Sequence, residues 1–224
     1  LQKDALDARE LCSIGLDVYH VTAAFPRFLA AVVARIDDVQ RRAPWVENLY
    51  CEQGGTEPTR AHLRSYRRFL RDLAIDDGAI DQSRPGLAAI CYCRALFDLC
   101  AQQPLAEAKA GLSIIEDIVA RVSPTLVDYA RARSGNADAG EHFVLHSELD
   151  QDHAQMSYRE CERDLPSAAE LVERGLLLGL HYQWQLYSQL VEQHIAPAKW
   201  RALGPGLGSP ALRFQGLQRR GLGS

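Results

Sequence analysis

The chain has 224 residues, 47% hydrophobic and 24% charged, with a formal net charge of −4. That length supports one domain with a sizeable core. The acidic balance supplies no basic field to gather nucleic-acid phosphates.

Helical periodicity dominates, and sustained two-residue alternation is missing. The predicted helices, in chain order, cover 4–24, 26–42, 44–53, 57–75, 85–100, 104–133 and 139–194, the last with a break near Leu165–Pro166. The breakers between them are Ala43–Pro44, "GGTEP" at 54–58, "SRPG" at 83–86, "QQP" at 102–104 and "SGNADAG" at 134–140. Pro58 suits the first turn of a helix capped by Thr56, and Pro124 should kink its helix. The basic run "RSYRRFLR" at 64–71 is read as a solvated helix face rather than a nucleic-acid site. The segment from Leu203 onward is rich in glycine and aperiodic, so residues 1–200 are expected to form one domain and 201–224 a flexible tail.

Six cysteines, at 12, 51, 91, 93, 100 and 161, contain no CxxC pair and are too sparse for a disulfide scaffold. They are expected to be free thiols in a reducing cytoplasm. Cys91 and Cys93 lie about 200° apart around a helix, which disfavours joint metal binding. No run of 18 apolar residues is present, so no membrane span is expected. The class that follows is an all-α bundle of about seven helices, in which sites are built from inward-facing side chains.

The segment "FVLHSELDQDHAQM" carries His146, Asp150 and His153 at steps of four and three. On a helix these span about 40° of arc and rise about 10 Å, enough to serve two adjacent ions. Phe143, Leu145, Leu149 and Met156 place much of that helix in the core, whereas Glu148 and Asp152 form a separate acidic pair on its wet side. A buried carboxylate needs a partner, and a metal is one. His142, one turn earlier, sits at the loop end and is expected to be exposed. Glu116, among isoleucines, points away from its neighbour Asp117, which has Arg121 four residues on. Glu52 precedes a Gly-Gly hinge, and His62 follows on the next helix; the rival Glu57 lies about 500° from His62 and faces elsewhere. Three histidines and three carboxylates without a thiolate suit an iron or manganese pair rather than structural zinc.

Glu52, His62, Glu116 and His146-x-x-x-Asp150-x-x-His153, in that order on an all-α chain, resemble the haem-oxygenase-like diiron oxidase and oxygenase family. The strings "ENLYCEQGG" and "HFVLHSELDQDHA" carry most of the likeness, which covers about residues 10 to 195. The resemblance implies a haem-oxygenase-like helical fold and two Fe(II) ions per chain, with O2 as co-substrate. It implies His62, Glu116 and His146 on one iron and Asp150 and His153 on the other, with carboxylates bridging. Asp37, Asp38 and Glu47 are candidates for a seventh ligand without a motif. Members oxidise, N-oxygenate or fragment small amino-acid-, amine- or fatty-acid-like molecules, often in natural-product biosynthesis.

Two other readings differ in class. One is a metal-independent, thiaminase-like hydrolase using Cys161 or Cys51 with Glu192; the other is a non-catalytic binding bundle of the same fold. The expected partners are a small-molecule substrate and a second copy of the chain in a homodimer, with neither nucleic acid nor membrane. Expected pocket residues are Tyr92, Phe97, Leu145 and Leu149, with Leu180, His181, Tyr182 and Trp184 on the last helix. Arg94 or Arg121 is a candidate clamp for a substrate carboxylate.

Overall fold

The structure, a computed structural model, describes residues 6–197 and 199, and for residues 147–152 the backbone alone. The expected tail lies outside the described residues. Seven α-helices and one short 3-10 turn make up the described part, and it contains no strand.

Helix α1 (Ala8–Val33) starts at a capping box: Asp7 accepts from the backbone of Arg9 and Glu10, and Glu10 reaches back to the Asp7 amide. It runs straight through Pro26, where two helices were expected. The proline costs one backbone bond, whereas continuity keeps Phe28, Leu29 and Val32 in the core. Helix α1 is long and apolar enough to cross a membrane by length and composition alone, although it holds no unbroken run of 18 apolar residues. Here its apolar residues pack against both main core clusters.

The chain instead breaks after Val33, and Asp38 caps α2 (Val39–Glu52), which continues through Pro44. Gly54 and Gly55, at φ of 88° and 62°, turn the chain. Pro58 opens the 3-10 turn Pro58–Arg60 rather than a helix capped by Thr56. Helix α3 (His62–Asp72) follows. A six-residue helix, α4 (Asp77–Gln82), lies in a stretch expected to be irregular and is capped by Asp76. The basic run on α3 is matched by acids: Arg67 pairs with Asp77 and Asp81, Arg68 with Glu141, and Arg71 with Asp77.

Helix α5 (Leu87–Ala101) leads to α6 (Leu105–Ser134), which passes through Pro124 and ends at left-handed Gly135. Helix α7 (Glu141–His194) bends at Ala168, whose φ of −147° is non-helical, two residues beyond Pro166 and close to the expected break. The long α6–α7 hairpin is tight because glycines face backbone: a Cβ on Gly175 would meet the Glu107 carbonyl oxygen at 2.2 Å, and one on Gly179 the Gly111 oxygen at 2.4 Å. One core cluster centres on Leu29, Trp45, Leu96 and Leu112, the other on Leu70, Phe69, Val127 and Phe143. Between α2, α6 and α7, Arg41 and Lys109 both pair with Asp164, and Arg41 also binds Glu160.

Candidate active site

Glu52 is the last residue of α2 and His62 the first of α3, so the Gly54–Gly55 turn folds one back on the other. Glu52 Oε1 lies 2.8 Å from His62 Nδ1, and the two residues are 4% and 3% exposed. Burial pushes the Glu52 carboxyl up. His62, by charge and hydrogen bond, with His146 and His153 behind it, outweighs burial and holds the carboxyl below its usual range. Three of the expected site residues, His62, His146 and His153, are therefore gathered electrostatically about the Glu52 carboxylate.

Glu116 projects from α6 into the same region and is buried. Asn48 Nδ2 donates to its Oε1 at 2.5 Å, and Ser157 Oγ to its Oε2 at 3.5 Å. Neighbouring Asp117 turns outward to accept from Arg121 Nε at 2.9 Å, as its spacing suggested.

On α7, His146 and His153 are buried, and so is His142, contrary to the expectation of exposure. The loop before it is itself packed: Ala139 and Gly140 are buried, and Asp72 caps the Gly140 amide at 3.1 Å. His142 Nδ1 bonds Ser65 Oγ at 2.8 Å. The His146 ring sits 4.3 Å from that of His142 and 4.6 Å from that of His62, centroid to centroid. Burial, then the neighbouring His146 and His62, hold His142 well below the usual imidazole range, so it is neutral near pH 7. The Asp150 side chain lies outside the described residues, as do those of Glu148, Leu149 and Asp152. The helix that carries them is unbroken there.

Among the described residues, no three His, Cys, Asp or Glu side chains close into a ready-made metal cage. The five described members of the expected set are instead separate buried donors; Glu52, Glu116 and His146 stand in the wall of a cavity of about 310 Å³, and His62 lies against Glu52 and His146. The rest of that wall is mostly apolar and comes largely from α1, α6 and α7. Tyr92 lines it and donates to Gln183 Oε1 at 2.7 Å. The other expected pocket residues do not: Phe97, Leu180 and Trp184 are exposed, and Leu145, His181 and Tyr182 lie outside the wall. Arg94 and Arg121 are on the surface. Asp37, Asp38 and Glu47 are exposed, Asp38 serving as the α2 cap.

Sequence reasoning passed over Asn48 and Ser65, which orient Glu116 and His142. The available signal was helical spacing: Asn48 lies one turn before Glu52, and Ser65 three residues after His62.

A family model described as "Iron-containing redox enzyme" matches residues 16–184. The chain belongs to this family. Three curated relatives, from Chlamydia trachomatis serovar D, Chlamydia muridarum and Chlamydia pneumoniae, carry the name 4-aminobenzoate synthase. They are 25%, 26% and 27% identical over 68%, 68% and 66% of this chain. The matches span 66%, 64% and 66% of those relatives, just under two thirds of their length. A solved structure of a domain of unknown function with a haem oxygenase-like fold, from Shewanella denitrificans OS217, is similar with a TM-score of 0.62. It is 15% identical, with 86% of this chain and 84% of that one covered. The fold of this member of the family is thus all-α and haem-oxygenase-like. Its donor set fits iron chemically: buried carboxylates and imidazoles, no thiol, on the wall of an apolar cavity that lowers the effective dielectric.

Proposed function

We propose that the protein is a non-haem diiron oxidase or oxygenase that uses O2 to oxidise a small organic substrate. Glu52, His62, Glu116, His146, Asp150 and His153 would hold two Fe(II) ions. One observation carries the reading. Glu52, His62, Glu116, His146 and His153 are all under a tenth exposed, and Glu52, Glu116 and His146 line one largely apolar chamber, where bound cations would compensate the cost of burying charge. When bound, iron supplies the electrons that reduce O2. The chain contributes orientation and dryness: His62 and Asn48 fix the two glutamates, and the apolar wall excludes water from the reacting atoms.

The relatives' name supports a biosynthetic oxidation, and 4-aminobenzoate is one candidate product to assay. The thiol-hydrolase reading is less favoured, because burial pushes the Cys161 thiol up and away from the thiolate form a nucleophile needs. Cytoplasmic location and a homodimer remain part of the proposal.

The test is anaerobic Fe(II) titration followed by O2 uptake with candidate substrates. Two ions per chain and substrate-triggered uptake are expected, with uptake lost in His146→Ala and Glu116→Ala. Absence of specific iron binding to the folded wild type, or full turnover in either variant, overturns the reading.

A further inference from the structure

We infer that Arg41 is a positioning residue for the iron site: by bridging Glu160 and Asp164 it fixes α2 against α7, so that Asn48 and Glu52 arrive opposite Glu116 and the α7 histidines. This rests on those donors holding iron, as in the function proposed above.

Arg41 belongs to a second polar layer below the site. Its Nε donates to Glu160 Oε2 at 3.0 Å, and its Nη2 to Asp164 Oδ1 at 2.5 Å and to the Glu160 carbonyl oxygen at 3.3 Å. Lys109 of α6 pairs with the other carboxylate oxygen of Asp164. Lys109, Glu160 and Asp164 are buried. Glu160 and Asp164 stand one turn apart on α7, where like charges repel, and the guanidinium between them relieves that repulsion. Three helices thus meet on two carboxylates.

This layer is in step with the donors. Arg41 precedes Asn48 by seven residues on α2, Lys109 precedes Glu116 by seven on α6, and Glu160 follows His153 by seven on α7. Seven residues turn about 700°, some 20° short of two full turns, and rise about 10 Å. Each of the three helices therefore carries a site residue and a layer residue on one face, at one spacing. Fixing the layer fixes the rotation and height of the site. A slip of α2 by one residue would swing Asn48 about 100° away from Glu116, whose Oε1 it meets at 2.5 Å. Net stability is a poor account of these ion pairs, because desolvation largely offsets the attraction between buried charges. A planar guanidinium that spans two carboxylates is directional, and direction sets register.

The test compares three full-length proteins. Arg41→Met removes the link while Glu160 keeps Arg163 at 2.5 Å and Asp164 keeps Lys109, so neither acid loses its last partner. Arg67→Met deletes surface pairs with Asp77 and Asp81 at 2.6 and 2.8 Å and controls for a general loss of stability. In NMR of the metal-free proteins, the Asn48 side-chain amide should show the downfield proton of a donor to a carboxylate in wild type and in Arg67→Met. That signature should be lost in Arg41→Met, with the helical circular dichroism retained. Fe(II) should bind at least about tenfold more weakly to Arg41→Met alone, the equivalent of about one charge-assisted hydrogen bond. An unchanged Asn48 amide or wild-type iron affinity in Arg41→Met overturns the inference, and so does an equal loss in Arg67→Met. Arg41→Lys covers the case in which the methionine variant does not fold: it keeps the charge without the planar bridge, and its Asn48 amide should shift in the same direction, a wild-type position again overturning the inference. A wild type that binds no iron would count against the proposed function, whereas the NMR comparison tests the clamp without metal.

Discussion

Glu52 and His62 touch through Oε1 and Nδ1 at 2.8 Å although nine residues separate them in sequence. The contact exists because Gly54 adopts φ of 88° between the two helices, a conformation that costs residues with a Cβ.

Replacing Gly54 with alanine should therefore be worse than replacing Gly135. At Gly135, φ is 71° and a Cβ would meet nothing within 4 Å, so the expected loss is the left-handed cost alone, about 1–2 kcal/mol. At Gly54 the Cβ would also meet the Glu57 carbonyl oxygen at 2.4 Å and the Ala61 nitrogen at 2.6 Å. Urea denaturation should show the larger loss for Gly54→Ala, together with weaker iron binding. Equal losses and unaltered iron affinity would contradict the role of this turn.

Asn48→Ala removes a buried donor from the Glu116 carboxylate. Hydrogen bonds to charged groups are worth about 1.5–3 kcal/mol, so the metal-free protein should lose stability in that range. In a double-mutant cycle with Glu116→Gln the two losses should be less than additive; strict additivity would show that the contact contributes nothing.

In the α6–α7 hairpin, Gly175→Ala sets two effects against each other. Alanine is favoured in a helix by about 1 kcal/mol, but its Cβ would overlap the Glu107 carbonyl oxygen at 2.2 Å. Backbone on both sides cannot rotate away, so the overlap should win, with a net loss of about 1–3 kcal/mol. A melting temperature equal to wild type or higher would disprove the close approach.

Thiol alkylation should follow burial. Cys91 is exposed, whereas burial pushes Cys93 up to about 11 and Cys100 up to about 12. A raised value keeps the group as unreactive thiol until the pH nears it. Mass spectrometry after iodoacetamide at pH 8 should find Cys91 modified first, with Cys93 labelling rising about tenfold per pH unit up to about pH 11. Rapid Cys100 labelling at pH 8 in the folded state would refute the packing of α5.

Asp150 and Asp152 lie about 200° apart on the unbroken backbone of α7, and only Asp150 shares the stripe of His146 and His153. Asp150→Asn should lower the iron stoichiometry. Asp152→Asn should leave it unchanged and shift stability by no more than about 0.5 kcal/mol. The opposite result in iron titrations would mean that the metal stripe is on the other side of the helix.

Much of the site was legible because spacing on one helix is a local property. His146 and His153 had to share a face, and Glu116 had to part from Asp117, whatever surrounded them. His142 belongs to the same stripe, yet nearness to a glycine-containing loop suggested exposure. Its burial depends on Val127 and Ala130 of α6 closing over Gly140, which spacing along α7 does not encode. Helix boundaries failed for a related reason. Pro26 and Pro44 look like stops, but each removes only one backbone bond, and the burial of Phe28 and Trp45 on the same helices outweighs it.

The sequence by itself determined the all-α class and the types and order of the candidate donor residues, since periodicity and side-chain chemistry are carried residue by residue. Only the tertiary structure decided that Asn48 holds Glu116, that Ser65 meets His142, and that Glu52, Glu116 and His146 share one cavity wall. Those relations join helices far apart in sequence, and they arise from packing, in which each contact depends on every other element being in place.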